Sequence, residues 1–304
     1  MLSSQGVQKR FFILLALFFN LSINAQVRNF RFYGLDEGLS QSQVSTICQD
    51  HNGYIWLGTL GGGLNRFDGI DFVSYSMIDG LSSNMILKVF SDSKNTIWIG
   101  TDRGICKYDG KRFEKVPTPF DLSDKAIWDI TQDKKGNIWF ATGGYGVLRY
   151  DGIKFYKYGI NDGLGFSHAY RILCDQSGTV WVSSKGYGFA RFKGELFENV
   201  ADISTSVNLN IDDISETTAG ELLFFTPQGT FQLIGNKFIT AGLSQEVNGE
   251  VIASLVDKNG SLWVATNTNG IFRFSKDGAS AEHFKSENGI PDVEIGRASC
   301  RERV

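Results

Sequence analysis

The sequence predicts an all-β fold, a β-propeller of four-stranded blades, and two observations support this prediction. A motif of the form Asp-x-x-Gly-x-x-Trp recurs along the chain, and its Trp residues are 42, 41 and 42 residues apart from Trp56 to Trp181. A repeat of about 40–45 residues that holds several short strands is typical of a propeller blade. The 304 residues also include 35 Gly and only 4 Pro, which suits short strands joined by tight turns. We therefore predict six complete blades plus one outer strand of an incomplete seventh.

The motif occurs six times, four times in full. The complete copies are Asp50, Gly53 and Trp56; Asp133, Gly136 and Trp139; Asp175, Gly178 and Trp181; and Asp257, Gly260 and Trp263. The two departures are Asp92, Asn95 and Trp98, and Glu216, Gly220 and Phe224. Asp and Gly favour turns, because the Asp carboxylate accepts backbone N–H groups and Gly adopts positive φ. We expect the motif residues to hold turns and the Trp rings to pack between blades, which is a structural role.

One repeat, residues 44–75, predicts four strands in chain order. Residues 44–48 alternate as an inner strand, residues 54–59 form a second strand and residues 64–67 a third. Asp68-Gly69 is a strong signal for a tight hairpin, and residues 71–75 form the outer strand. The six blades are predicted at residues 44–75, 86–116, 127–158, 170–200, 211–241 and 251–284.

A lone outer strand is predicted at residues 30–33, before the first complete repeat. Phe30 to Leu39 matches the outer strand and linker from Phe72 to Leu81. A ring closes well when one blade combines strands from both ends of the chain, because closure removes exposed edges. We expect the three inner strands of this seventh blade to follow residue 290.

Both ends of the chain differ from the repeats. Residues 1–25 have Lys9-Arg10, an apolar run from Phe11 to Phe19 and Ala25, the pattern of a secretory signal peptide. The run is short for a membrane span of about 20 residues, although a retained anchor is the alternative. We predict that residues 26–294 are exported to the periplasmic side of the inner membrane, or secreted. Residues 295–304 back-translate to a string that resembles a sequencing adapter, so we interpret them as an artefact.

Composition and motifs argue against several function classes. The net charge is −3 and no basic block stands out, which argues against a nucleic-acid partner. The cysteines form no CxxC pair, so a zinc site has no support. His51, His168 and His283 lie outside any nucleophile motif. We predict no enzyme activity, no cofactor and no metal for this chain.

A ligand site is predicted on one face of the propeller. In an up-and-down blade, the turn between the second and third strands shares a face with the connection to the next blade. The Asp-x-x-Gly turns and the Asp-Gly hairpins lie on the opposite face. The first face varies between repeats, and its aromatic and amide side chains suit a small ligand, an oligosaccharide or a peptide. The candidate ligand-binding residues are Arg103, Trp128, Tyr145, His168, Tyr170, Tyr187, Asn267 and Asn269.

The repeat resembles the two-component regulator propeller repeat, most closely at residues 50–69, 92–110 and 133–152. The resemblance implies the periplasmic sensor of a homodimeric, membrane-spanning receptor, whose histidine kinase output lies outside these residues. In carbohydrate-sensing members of such families the ligand is an oligosaccharide. Two alternatives stay open: a secreted propeller lyase or hydrolase resembling streptogramin lyase, and a non-catalytic interaction propeller of the cell envelope.

Overall fold

The computed structural model describes residues 31–200 and 210–285, apart from 236, 246, 248 and 279. Its strands form six four-stranded sheets, and the strands in each sheet follow chain order. All neighbouring strands within a sheet are antiparallel. The predicted all-β propeller is therefore confirmed, with six blades. The predicted signal peptide and residues 295–304 lie outside the described residues.

The blades follow one another along the chain. Blade 1 contains β1 (Val44–Gln49), β2 (Ile55–Thr59), β3 (Leu64–Phe67) and β4 (Phe72–Tyr75). Blade 2 contains β5 (Ile86–Ser91), β6 (Ile97–Thr101), β7 (Gly104–Tyr108) and β8 (Phe113–Lys115). Blade 3 contains β9 (Ile127–Gln132), β10 (Ile138–Thr142), β11 (Gly146–Tyr150) and β12 (Phe155–Tyr158).

The later blades repeat the arrangement. Blade 4 contains β13 (Arg171–Cys174), β14 (Val180–Ser184), β15 (Gly188–Phe192) and β16 (Phe197–Asn199). Blade 5 contains β17 (Asp213–Glu216), β18 (Leu222–Thr226), β19 (Gly229–Ile234) and β20 (Lys237–Thr240). Blade 6 contains β21 (Val251–Val256), β22 (Leu262–Thr266), β23 (Ile271–Phe274) and β24 (Ala281–Phe284). Short 3-10 helices lie at Met77–Asp79, Ile160–Asp162 and Gly242–Gln245.

The motif Asp holds both a turn and the Trp ring of its blade. In blade 1, Asp50 Oδ1 accepts the backbone N–H groups of Asn52 (2.9 Å) and Tyr54 (3.0 Å). Its Oδ2 accepts the indole N–H of Trp56 at 2.8 Å. The same indole bond recurs in the other complete copies and in blade 2, at 2.6–2.9 Å, as Trp98–Asp92, Trp139–Asp133, Trp181–Asp175 and Trp263–Asp257.

The motif Gly closes the same turn through its backbone. Gly53, Gly136, Gly178 and Gly260 all have positive φ, at 87°, 86°, 92° and 83°. The N–H of each donates to the backbone carbonyl of its own motif Asp at 2.8–3.0 Å. In blade 2, Asn95 takes this position because Asn tolerates positive φ (62°). The space around these glycines differs: a Cβ at Gly53 would meet nothing within 4 Å, whereas one at Gly260 would lie 2.9 Å from Lys276 and 3.2 Å from Thr218 of blade 5.

Blade 5 departs from the predicted alignment by one residue. Thr217, not Glu216, takes the place of the motif Asp, because its hydroxyl accepts the backbone N–H of Glu221 (3.1 Å). Leu223, six residues later, takes the place of Trp, and Phe224 faces the preceding blade. A Thr hydroxyl can cap the turn but offers no second oxygen for an indole, and Leu needs none.

Apolar side chains fill the layers between consecutive blades. Five buried clusters join blades 1–2, 2–3, 3–4, 4–5 and 5–6. Trp56, Trp98, Trp139 and Trp181 are buried in these layers. Trp263 of blade 6 is only half-buried, and no cluster of the described residues joins blade 6 to blade 1.

The predicted lone outer strand at residues 30–33 is not formed in the part that the structure describes. Phe30 lies outside the described residues, and Arg31 to Tyr33 have no strand structure, because an outer strand needs a third strand to pair with. Tyr33 nevertheless lies against Phe67 (ring centroids 4.8 Å apart) and Phe72 (6.0 Å). Tyr75 of blade 1 lies in the same way against Tyr108 (6.5 Å) and Phe113 (4.9 Å) of blade 2.

Candidate functional site

The turns between second and third strands lie beside the connections that enter the next blade. Single β-bridges join them at Leu60–Met85, Gly143–His168 and Lys185–Asn210. These turns and connections therefore share one face, which we call the loop face. The Asp-x-x-Gly turns and the Asp-Gly hairpins lie at the other ends of the strands.

The motif glycines lie at those other ends, away from the loop face. Gly53, Gly136, Gly178 and Gly260 each stand between the first and second strands of their blade. A glycine has no side chain to offer a ligand, and the backbone N–H of each is already bonded within its turn. We therefore leave all four out of the candidate site.

The inner strands carry a recurring irregularity next to the loop face. The register shifts by one residue at the N-terminal end of β1, β5, β9 and β21. A β-bulge of this kind turns one additional side chain out of the regular alternation. The residue concerned stands five positions before the motif Asp, or before Thr217 in blade 5. The bulge residues are Ser45, Leu87, Trp128 and Ile252. In blades 4 and 5 the equivalent residues by spacing, Tyr170 and Asp212, stand just before β13 and β17, and we call all six the bulge positions.

Trp128 and Tyr170, two of the predicted ligand residues, meet at neighbouring bulge positions. Their ring centroids are 5.7 Å apart, with Trp128 half-buried and Tyr170 buried. The ammonium group of Lys185 lies 4.5 Å from the Tyr170 ring centroid, and the Arg171 guanidinium lies 5.0 Å from it. The two rings thus form an aromatic surface that is bordered by cations.

Asp212 occupies the next bulge position and is the most unusual group of the site. Its side chain is 5% exposed, and Lys185 Nζ lies 3.9 Å from Oδ1. Oδ2 is buried and has no hydrogen-bond partner among the described residues. Burial raises the pKa of this carboxyl to about 6, with Glu250 adding to the rise while Lys185 and Arg171 oppose it. The group can therefore accept a hydrogen bond when ionised and donate one when protonated.

A buried polar belt supports the bulge positions from one residue further along the inner strands of blades 2 to 5. Lys88 Nζ lies 2.8 Å from Asp129 Oδ1, and Arg171 Nε lies 3.3 Å from Asp213 Oδ1. Both carboxylates also accept a backbone N–H from the next blade. Charged groups buried this deeply are stable only when they are paired and hydrogen-bonded. The belt therefore fixes the relative positions of blades 2 to 6 beneath the site.

Three other predicted residues lie in turns of the loop face, between the second and third strands of their blades. Arg103 is exposed, with Nε 3.6 Å from Asp102 Oδ2. Tyr145 packs on Phe120, with ring centroids 6.1 Å apart. Tyr187 is exposed.

The remaining predicted residues belong to blades 4 and 6. His168 is exposed, and its Nδ1 lies 3.0 Å from Ser167 Oγ. The Asn267 amide donates to Glu250 Oε2 at 3.3 Å. The backbone carbonyl of Asn269 lies 2.6 Å from His283 Nε2. The structure thus brings Trp128 and Tyr170 together, and the other six residues are distributed around the loop face.

Asp212 and Lys185 belong to the site but are not among the ligand residues predicted from the sequence. The signal that identifies Asp212 is its spacing, since the bulge residue always stands five positions before the turn residue. The one-residue misalignment of blade 5 concealed this relation. Lys185 enters through its contacts with Tyr170 and Asp212, which depend on the packing of blades 4 and 5.

The opposite end of the strands also holds a cavity, of 770 Å³, that is lined by blades 3 to 6. Several polar groups of its lining are bonded to one another: Lys134 Nζ donates to the Gln176 carbonyl, and Gln176 N–H donates to Glu216. Ser215 and Ser254 hydrogen-bond to each other at 2.6 Å. These groups are thus already bonded within the protein, unlike Asp212 Oδ2 on the loop face, for which the described residues supply no hydrogen-bond partner.

The described residues contain no cluster of three or more His, Cys, Asp or Glu side chains arranged to hold a metal ion. Within the same residues, no helix has the length and apolar character to cross a membrane.

Comparisons with known proteins agree with the fold. Residues 38–61, 80–103 and 121–144 match the profile of the two component regulator propeller. A 67-residue stretch is 45% identical to a histidine kinase of Formosa agariphila; it covers 21% of this chain and 5% of the kinase.

Solved structures share the propeller at low sequence identity. The extracellular domain of a hybrid two component system of B. thetaiotaomicron is 21% identical, with a TM-score of 0.73 over 88% of this chain and 38% of that domain. The virginiamycin B lyase of Staphylococcus aureus is 15% identical, with a TM-score of 0.66 over 86% of this chain and 89% of the lyase. The chain thus spans well under half of the two-component proteins that it matches. It carries repeats of the two component regulator propeller family.

Proposed function

We propose that the chain is the ligand-sensing, extracytoplasmic propeller of a membrane-bound two-component receptor. Its transmembrane segment and its output module, a histidine kinase, lie outside these residues. The family repeats and the similarity to extracellular domains of two-component systems support this proposal. The observation that carries the sensing role is the cluster of Trp128, Tyr170 and Asp212 at neighbouring bulge positions.

An oligosaccharide suits this cluster better than a peptide does. Aromatic rings stack on the apolar faces of sugars, and a few convergent polar groups then fix orientation. Among the described residues, the buried Asp212 Oδ2 has no hydrogen-bond partner, and a buried polar group without one costs about 1–3 kcal/mol. A sugar hydroxyl that donates to this oxygen removes that cost, so binding gains from a group that the free protein leaves unpaired.

Signalling requires that binding on the loop face alter the rest of the receptor. The polar belt lies one residue from the bulge positions and joins consecutive blades through ion pairs. Asp212 directly precedes Asp213 of the belt, so a ligand that contacts Asp212 acts one residue away from a belt ion pair. We place the receptor in the inner membrane as a homodimer, with the propeller in the periplasm.

The lyase alternative receives no support from the histidines. His51 lies in a turn of blade 1, His168 in the connection to blade 4 and His283 in the outer strand of blade 6. General acid–base catalysis needs its groups within hydrogen-bond reach of one substrate. Their distribution over three blades favours a binding site over a catalytic one.

The test is binding of residues 26–294 to an array of immobilised oligosaccharides, followed by calorimetry with each oligosaccharide that binds. Trp128→Ala and Asp212→Ala should each weaken binding at least tenfold. Ile70→Ala, in an exposed hairpin on the opposite face, is the matched control and should bind like the wild type. The proposal fails if no oligosaccharide binds, or if all three variants bind equally well.

A further inference from the structure

The layer between blades 2 and 3 contains a cavity of 470 Å³ against the motif Trp of blade 2. The apolar residues that line it are Trp98, Val116, Pro117, Pro119, Tyr150, Ile153 and Phe155. This cavity is separate from the loop-face cluster.

In two other layers, a Tyr ring occupies the corresponding position. The Tyr75 ring stacks on Trp56, with centroids 6.0 Å apart and planes at 26°, and lies 4.9 Å from Phe113. The Tyr158 ring stacks on Trp139 at 5.7 Å and 23°. Each Tyr is the fourth residue of an outer strand and covers the Trp of its own blade.

Blade 2 has Val116 at this fourth position, counted from Phe113. The backbone N–H of Val116 donates to the carbonyl of Ile105, so the residue continues the outer-strand pairing. Val is too short to cover Trp98, and no stacked ring covers this indole among the described residues. The cavity therefore lies where Tyr75 and Tyr158 place their rings.

Blade 4 shows that a Val at this position does not by itself leave a cavity. Val200 is the fourth residue there, but Phe189 from the third strand stacks on Trp181 at 5.0 Å and 5°. The corresponding third-strand residue of blade 2 is Ile105. Blade 2 thus has an intact motif Trp without the outer Tyr or the third-strand Phe.

We propose that this cavity is a binding site for a small monocyclic aromatic molecule, whose ring stacks on Trp98 as the Tyr rings do in blades 1 and 3. Apolar cavities of sufficient size bind aromatic molecules of matching shape. Lys107, Glu114 and Lys154 border the cavity, and Lys107 Nζ lies 3.6 Å from Glu114 Oε2. These charged groups give a polar substituent of the ring, such as a phenol hydroxyl, an exit to solvent.

The test uses p-cresol, the free equivalent of the Tyr side chain, in calorimetric and ligand-observed NMR titrations. The wild type should bind one equivalent. Val116→Tyr should weaken binding at least tenfold and raise the melting temperature, because the new ring fills the cavity. Val200→Tyr is the control, and it should bind p-cresol like the wild type because Phe189 already covers Trp181.

A complementary variant keeps the proposal testable if Val116→Tyr does not fold. Tyr158→Val should open a second cavity of the same kind and raise the stoichiometry from one p-cresol to two. The proposal is overturned if the wild type binds no p-cresol at millimolar concentration, if Val116→Tyr binds as well as the wild type, or if Tyr158→Val gains no second site.

Discussion

Replacing Asp50 by Ala tests whether the repeated carboxylate holds the blades together through its Trp. The substitution removes the acceptor of the buried Trp56 indole N–H and of two turn N–H groups. A buried donor left without a partner costs about 1–3 kcal/mol, and loss of a capping side chain costs about 0.5–2 kcal/mol. We expect Asp50→Ala to lower the free energy of unfolding by about 3 kcal/mol.

Asp68→Ala is the matched control in the same blade. Asp68 Oδ1 also accepts two backbone N–H groups, from Ile70 and Asp71, at 2.8 Å each. These bonds lower the pKa of the carboxyl, but the hairpin is exposed, so water can replace the lost acceptor. We expect a much smaller loss of stability than for Asp50→Ala in urea denaturation at pH 7.

A double-mutant cycle isolates the contribution of the indole bond. Asp50→Asn keeps one oxygen for the turn but presents an amide N–H to the indole N–H. In a Trp56→Phe background this conflict is absent, so Asp50→Asn should cost about 1–2 kcal/mol less there. Equal losses for Asp50→Ala and Asp68→Ala, together with a coupling energy near zero, would refute the reasoning.

Three further predictions concern the belt, the site carboxyl and a linker turn. Lys88→Met should destabilise the protein by about 3 kcal/mol at pH 7 in urea denaturation, because it leaves Asp129 buried without its cation; an unchanged midpoint would contradict this. The raised pKa of Asp212 means that its protonated form stabilises the fold below pH 4, and that this contribution is lost as the pH rises through about 6. Asp212→Asn should therefore raise the free energy of unfolding at pH 7.5 and give no gain at pH 4. The gain is at most about 3 kcal/mol, because a tenfold change in the acid constant is about 1.4 kcal/mol. A gain that is independent of pH would argue against a raised pKa of Asp212. Gly163→Ala should lower the melting temperature far more than Gly152→Ala, because both have positive φ but only at position 163 would a Cβ overlap a backbone carbonyl; equal effects would show that the overlap is relieved.

The sequence predicted the blades because their signals are local. An Asp that caps a turn and a Trp six residues later specify one hairpin without reference to the rest of the chain. The divergent repeat of blade 5 was misaligned by one residue, because Thr217 replaces the Asp that caps the turn and Leu223 replaces the Trp that packs between blades. The lone outer strand was predicted from similarity alone, whereas strand formation depends on a partner that the described residues do not supply.

The candidate site was only partly predictable for the same reason. Trp128 and Tyr170 were identified as variable aromatic residues on the loop face, and the structure places them in contact. Asp212 and Lys185 join them through packing of blades 4 and 5, which involves residues 27 positions apart. Burial of Asp212 and the absence of a partner for Oδ2 are tertiary properties, so no local pattern signals them.

Hydrogen exchange on residues 26–294, with and without a saturating oligosaccharide from the array, tests the central claim most directly. The account predicts slower exchange around the bulge positions Trp128, Tyr170 and Asp212, with no change in the Asp-x-x-Gly turns of the opposite face. Protection confined to the opposite face, or absent from all three bulge positions, would contradict the proposal that the loop face is the sensing surface.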